Sequence, residues 1–240
     1  MKNFFWILTH YLKKNFLDLA NYLLIALPLF FVFIYESLDN AFGMLDALFV
    51  AAIVLGMQFF AADTATGWLH KDLKGPTGSR LRVSGVSQHI FYLAVIIAGS
   101  LFHILLSGIL VAITSLVPFF NADWGNYVFA MITITLIVFL IQLIGVLIFY
   151  FTKDEKAGSR ISYLFGEVMI ATAFVPVLSI NLPNIIDTIF DFFPVGLGLR
   201  AISAGSLVNA LPYFGILFGM NVALALVVLF VGRRKRNDSL

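Results

Sequence analysis

Apolar residues run through this chain in blocks, not in alternation. Six blocks stand out, at 20–35, 44–65, 90–117, 127–151, 161–180 and 211–232. A helix rises about 1.5 Å per residue, so roughly 20 apolar residues cross the ~30 Å hydrocarbon layer of a bilayer. All but the first block are long enough, and the first becomes so when it borrows 18–20 at its start. None shows the ten-residue alternation of a membrane barrel. The pattern predicts an all-α polytopic membrane protein with six transmembrane helices, forming a single transmembrane domain over 1–240.

Three stretches depart from the blocks. In "MKNFFWILTHYLKKNFLD", residues 1–18, Phe5, Leu8, Leu12 and Phe16 recur at helical spacing while Asn3, His10, Lys13 and Lys14 fall mostly away from them. Such a helix lies along a membrane surface with its lysines toward anionic headgroups. It has no small-residue cleavage site, unlike a signal peptide. Residues 66–89, "TGWLHKDLKGPTGSRLRVSGVSQH", are the longest polar run and are expected in the cytosol, as a short helix ended by Gly75-Pro76. Residues 181–211 hold Pro183, Pro194 and several glycines yet remain apolar. Broken helices that re-enter the outer leaflet as a hairpin satisfy both facts, if protein covers their loose backbone groups.

Composition agrees. The mean hydropathy is +0.99, and only 12% of the residues are charged, against 26 phenylalanines in 240 residues. A soluble domain carries about a quarter of its residues charged. With no cysteine, there is no disulfide or thiolate metal site. Charge placement says more than the net charge of +2. An inside N-terminus puts fourteen of the fifteen Lys and Arg on the cytosolic side, leaving only Arg200 outside with Glu36, Asp39, Asp46, Asp123, Asp187 and Asp191. The positive-inside rule therefore predicts both termini in the cytosol. The tail "RRKRNDSL" reads as an inner-surface anchor.

Chemistry has few candidates. Gly75-Pro76-Thr77-Gly78-Ser79-Arg80 lacks the spacing and the lysine of a phosphate-binding loop. His10, His70, His89 and His103 are scattered over different segments, and neither H-E-x-x-H nor G-x-S-x-G occurs. Polar residues within spans are costly and usually face the bundle interior or water. Asp63 and Glu167 sit near the inner ends of their spans, as ion partners or as a gate. His103 is expected to be a packed neutral residue or a titrating one, and Gln58 and Gln142 interhelical hydrogen-bond partners or pathway contacts. Aromatic residues near the predicted interfaces, among them Trp124 outside and Trp68 and Tyr150 inside, read as anchoring belts.

The interfacial start, six spans, polar inner connections and broken outer segment resemble the ABC-2 type permease family, the membrane subunits of one class of ATP-binding-cassette transporters. The resemblance spans the chain and is most specific at "DLKGPTGSRLRVSGVSQHIFYLAVIIAG", with an acidic residue, a basic residue and Gly, then Arg-Leu-Arg and Val-Ser before the third span. Gly85 stands where proline is frequent. Pro183 and Pro194 look like the paired prolines of the family's re-entrant hairpin, with Arg200 beyond them. The resemblance implies no nucleotide site in this chain: ATP and Mg belong to a separate cytosolic ABC ATPase, present in two copies, and a second permease chain, identical or paralogous, faces this one. It implies an ATPase-coupling element around Trp68, Lys71, Asp72, Lys74, Gly75, Arg80 and Arg82, and a smaller contact at Lys153, Asp154 and Glu155. It implies no catalytic residue, no metal and no nucleic-acid partner, and a multi-pass protein of a bacterial plasma membrane that exports an amphipathic or hydrophobic cargo such as an antimicrobial peptide, a drug or a lipid-linked molecule. An ion-driven secondary transporter and a non-transporting scaffold are the competing readings.

Overall fold

The computed structural model describes residues 2–42, 49–75, 88–116, 124, 126–174 and 192–237. The described residues are helical, with no strand among them. We number the helices α1 (Lys2–Leu17), α2 (Leu19–Phe42), α3 (Phe49–Met57), α4 (Ala61–Leu69), α5 (Gln88–Leu116), α6 (Tyr127–Phe151), α7 (Glu155–Phe174), α8 (Pro194–Ile202) and α9 (Leu207–Asn237). A 3₁₀ turn, Gln58–Phe60, joins α3 to α4, and a π turn, His70–Lys74, extends α4.

Among the described residues, four stretches are long and apolar enough to cross a membrane: Val50–Lys74, His89–Leu116, Tyr127–Phe151 and Leu207–Arg233. The chain is a membrane protein. Exposed Val208, Phe218, Leu226 and Phe230 on α9 would be untenable in water and suit a lipid-facing helix. Helices α2 and α7 lie where the first and fifth spans are expected, but α2 carries Pro28 in its interior and α7 mixes charge into its first turns.

Helix α6 is the hub. It packs against α4, α5, α8 and α9, and its Ile134, Ile137 and Ile141 are fully buried. Asn126 caps its start by accepting from the Val128 amide at 2.9 Å. Helix α8 is short yet buried from Pro194 to Leu199, against α3, α6, α7 and α9. Proline at its first position suits a helix start, and Gly205 in the left-handed region (φ 66°) turns the chain into α9.

Two expectations change. Residues 66–74 do not form a separate cytosolic helix: they continue α4 without a break, and Thr66 through His70 are buried, so the chain stops being helical only at Gly75. The reason is that their polar side chains find partners on neighbouring helices. Trp124, Trp68 and Tyr150, expected in aromatic belts, are packed inside instead. The Trp124 indole donates to the Thr114 hydroxyl at 2.9 Å, which holds that side chain against α5.

Candidate functional site

Thr66, His70 and Lys74 are four residues apart, and each reaches a different level of α6 or of its connection to α7. The Thr66 hydroxyl lies 2.8 Å from the Ala62 carbonyl of its own helix and 2.9 Å from the Gly145 carbonyl of α6, with the Ser162 hydroxyl of α7 at 3.4 Å. One turn on, His70 Nε2 lies 2.8 Å from Thr152 Oγ1. Thr152 donates its single hydroxyl proton to the Ile148 carbonyl at 2.8 Å, so the imidazole is assigned as the Nε2–H donor. A further turn on, the Lys74 ammonium donates to the carbonyls of Phe149, Thr152 and Lys153. It also sits 4.8 Å from the centre of the Phe149 ring.

The positive charge of Lys74 thus lies at the C-terminus of α6, where unsatisfied carbonyls concentrate negative potential. The π turn explains the alignment. It takes more residues per turn than an α-helix, so His70 and Lys74 stay on one face. Gly158 lets α7 come close: a Cβ there would meet the Thr66 methyl at 2.6 Å and Thr152 Oγ1 at 3.3 Å. Asp154 caps α7 by accepting from the Ala157 amide at 2.8 Å. Lys71 and Glu155 pair across the same connection at 3.0 Å.

On the other side, α1 closes the site. The Tyr11 hydroxyl donates to Asp72 Oδ2 at 2.9 Å, and the Lys14 ammonium reaches the same oxygen at 3.1 Å. The rings of Tyr11 and Trp68 stack at 5.7 Å, with Lys14 5.3 Å from the Trp68 ring. Burial, and then the neighbouring Asp72 carboxylate, push the Tyr11 phenol well above its ordinary range, so it stays a donor at physiological pH. Asn21 donates to Asn15 Oδ1 at 3.2 Å and accepts from Thr64 at 3.1 Å, tying the α1–α2 elbow to α4.

The expected coupling residues therefore divide. Trp68 and Asp72 face inward and position the segment. Lys71, Lys153 and Asp154 are exposed, and Gly75 ends the helix in an extended conformation. Arg80, Arg82 and Pro183 lie outside the described residues. Pro194 starts α8, and Arg200 lies exposed near its end. The pathway candidates do not converge on one point. Asp63 is half-buried, close to the Tyr163 side chain. Glu167 is exposed on α7. Gln142 is buried, with its amide end against Gly99 of α5. Gln58, in the 3₁₀ turn, donates to the Val54 carbonyl of α3 at 3.2 Å. His103 is fully enclosed, with no hydrogen-bond partner on either ring nitrogen among the described residues.

Spacing in the sequence did not single out Tyr11, Lys14, Thr66, His70, Thr152 or Gly158 as site residues. The four-residue recurrence of Thr66, His70 and Lys74 was the available signal. Two consequences are measurable by thermal unfolding in detergent. Lys71→Ala is expected to change stability by less than about 0.5 kcal/mol, because both partners of its ion pair are well exposed. Lys74→Met is expected to cost about 1–2 kcal/mol and to speed amide exchange in the last turn of α6, since it strips a charged donor from three carbonyls.

No family model matches the chain, and neither a curated protein nor a solved structure matches it.

Proposed function

We propose that the chain is the transmembrane subunit of an ABC-2 type exporter. In this reading α2 and α7 complete six spans, both termini are cytosolic, and α8 is one limb of an outer re-entrant hairpin. ATP and Mg are handled by two copies of a separate cytosolic ATPase, and a second permease chain completes the pathway for an amphipathic or hydrophobic cargo. The observation that carries the reading is the joining of the two polar connections. His70 to Thr152, Lys71 to Glu155, and Lys74 to the end of α6 make one braced body of the segments that the resemblance assigns to ATPase contact. A push on either connection then reaches α4, α6 and α7 together. Coupling of this kind still needs contacts that differ between open and closed states.

The exposed charges give the test. When the chain is coexpressed with a candidate ATPase, the Lys153→Glu, Lys156→Glu double variant is expected to lower copurification on the order of tenfold, as misplaced like charge does at interfaces. Vesicle ATP hydrolysis should fall with it. Unchanged copurification and hydrolysis in that variant and in Arg80→Glu would sink the assignment. Secondary transport finds less support, since exposed Glu167 and half-buried Asp63 make no paired carboxylate site in the bundle interior.

A further inference from the structure

Three polar side chains follow one another along one face of α5. Ser100, His103 and Ser107 stand at i, i+3 and i+7, and all three are fully buried. The two serine hydroxyl oxygens and both His103 ring nitrogens have no hydrogen-bond partner among the described residues. The glycines that bracket the row show what it faces. A Cβ on Gly99 would meet the Gln142 amide of α6, with Nε2 at 3.0 Å, and one on Gly108 would meet the Met131 methyl of α6 at 3.5 Å. The row therefore lies on the seam between α5 and α6, and Gln142 Nε2 joins it as a fifth enclosed atom without a partner. On another flank of α5, Phe102 meets the rings of Phe16 from α1 and Tyr22 from α2.

We infer that the α5–α6 seam parts in a second conformation and admits water to Ser100, His103 and Ser107, the packed seam being its closed form. Native proteins pair nearly all of their buried polar groups. Here five orphaned atoms sit on one seam, too tightly enclosed for a water to touch them, so each bears its desolvation with no bond to offset it. Apolar side chains of the same shape would close the seam at lower cost. Polar ones gain their hydrogen bonds only when water reaches them, which is why polar residues inside spans line wet paths. The cost borne by the closed form brings the parted form nearer to it in free energy. Parting needs no break in the brace between α4 and α6, and α5 keeps its ring contacts with α1 and α2 if these move with it. The inference stands whether or not the chain works with an ATPase.

The chain has no cysteine, so single introduced thiols are read without background. In phosphatidylcholine nanodiscs, Ser100→Cys and Ser107→Cys are expected to react with the charged reagent trimethylammonium-ethyl methanethiosulfonate roughly tenfold faster than Ile137→Cys. Ile137 is equally enclosed but packs toward Gly198 of α8, away from the seam. Adding His103→Leu to either serine variant is expected to slow its labelling, because an apolar seam favours the closed form. Thermal unfolding reads the closed form by itself. Ser107→Ala and His103→Leu each remove orphaned groups, so the melting temperature is expected to hold or rise. Labelling of both serine positions no faster than Ile137→Cys overturns the inference, as does equally fast labelling of all three, which would mean general loosening. A lower melting temperature in both apolar variants also overturns it, since the groups would then be bonded in the packed seam.

Discussion

Gly145→Leu is expected to yield no folded protein, and Gly145→Ala to lose about 2 kcal/mol, read by thermal or detergent unfolding followed through intrinsic fluorescence. The residue lies mid-way along the contact of α6 with α4. A Cβ there would stand 2.7 Å from the Ala62 carbonyl and 2.9 Å from the Ala65 methyl, and neither is the yielding end of a flexible side chain. Overpacking of this kind typically costs 1–3 kcal/mol for small insertions. Here the damage spreads, because the Gly145 carbonyl also accepts from Thr66. Small residues that let backbones approach are what hold helices together in lipid, where the hydrophobic effect offers no drive between them. Gly219→Ala on α9 is the control. Nothing lies within 4 Å of its missing Cβ, so no loss is expected, and better helix propensity adds up to ~1 kcal/mol. A Gly145→Ala protein as stable as wild type would mean that α4 and α6 do not meet as described.

Asp72→Ala is expected to free α1. The substitution removes the acceptor shared by Tyr11 and Lys14 and strands a phenol that is 1% exposed. Hydrogen bonds to a charged group are worth about 1.5–3 kcal/mol. Because the Asp72 and Lys14 side chains remain 19% and 30% exposed, solvent screening brings the expected loss to the low end, about 1.5 kcal/mol. Amide exchange over Lys2–Leu17 should then quicken by roughly tenfold while α6 and α9 keep their protection. Adding Tyr11→Phe should cost little more, since the double variant no longer leaves a stranded hydroxyl. Full additivity of the two, or unchanged exchange in α1, would show that Tyr11 and Asp72 are not partners.

The hydropathy pattern located the spans well where apolarity is unbroken. The fourth block, 127–151, coincides with α6, and the third, 90–117, differs by one residue at each end from the His89–Leu116 stretch. The second fails at its inner end. Thr66, His70 and Lys74 read as solvated, and the structure continues the helix through them because carbonyls of α6 and the Thr152 hydroxyl satisfy them. That satisfaction is a tertiary fact, and no local rule supplies it.

Helix α1 teaches a related lesson. Its period is visible, yet the face it buries is Ile7, Tyr11 and Asn15, whereas Phe5 and Phe16 of the expected apolar stripe are exposed. A helix apolar on two sides does not declare which side meets protein and which meets lipid. The candidate site was legible as charge: the polar connections were expected to matter, and the exposed Lys71, Lys153 and Asp154 remain available to a partner. The meeting of Asp63 with Tyr163 was not legible, because they are a hundred residues apart and become neighbours only when α7 packs on α4.

The three polar teeth of α4 also limit how the bundle can deform. Thr66, His70 and Lys74 engage α6 at successive heights, and the rise of a helical turn is about 5.4 Å. Sliding α4 along α6 by even half of that distance breaks all three at once. Shear between these two helices is therefore the mode the structure resists most. Any working stroke has to carry them as a single strut, with the displacement absorbed elsewhere, as where the chain passes from α1 to α2 at Asp18.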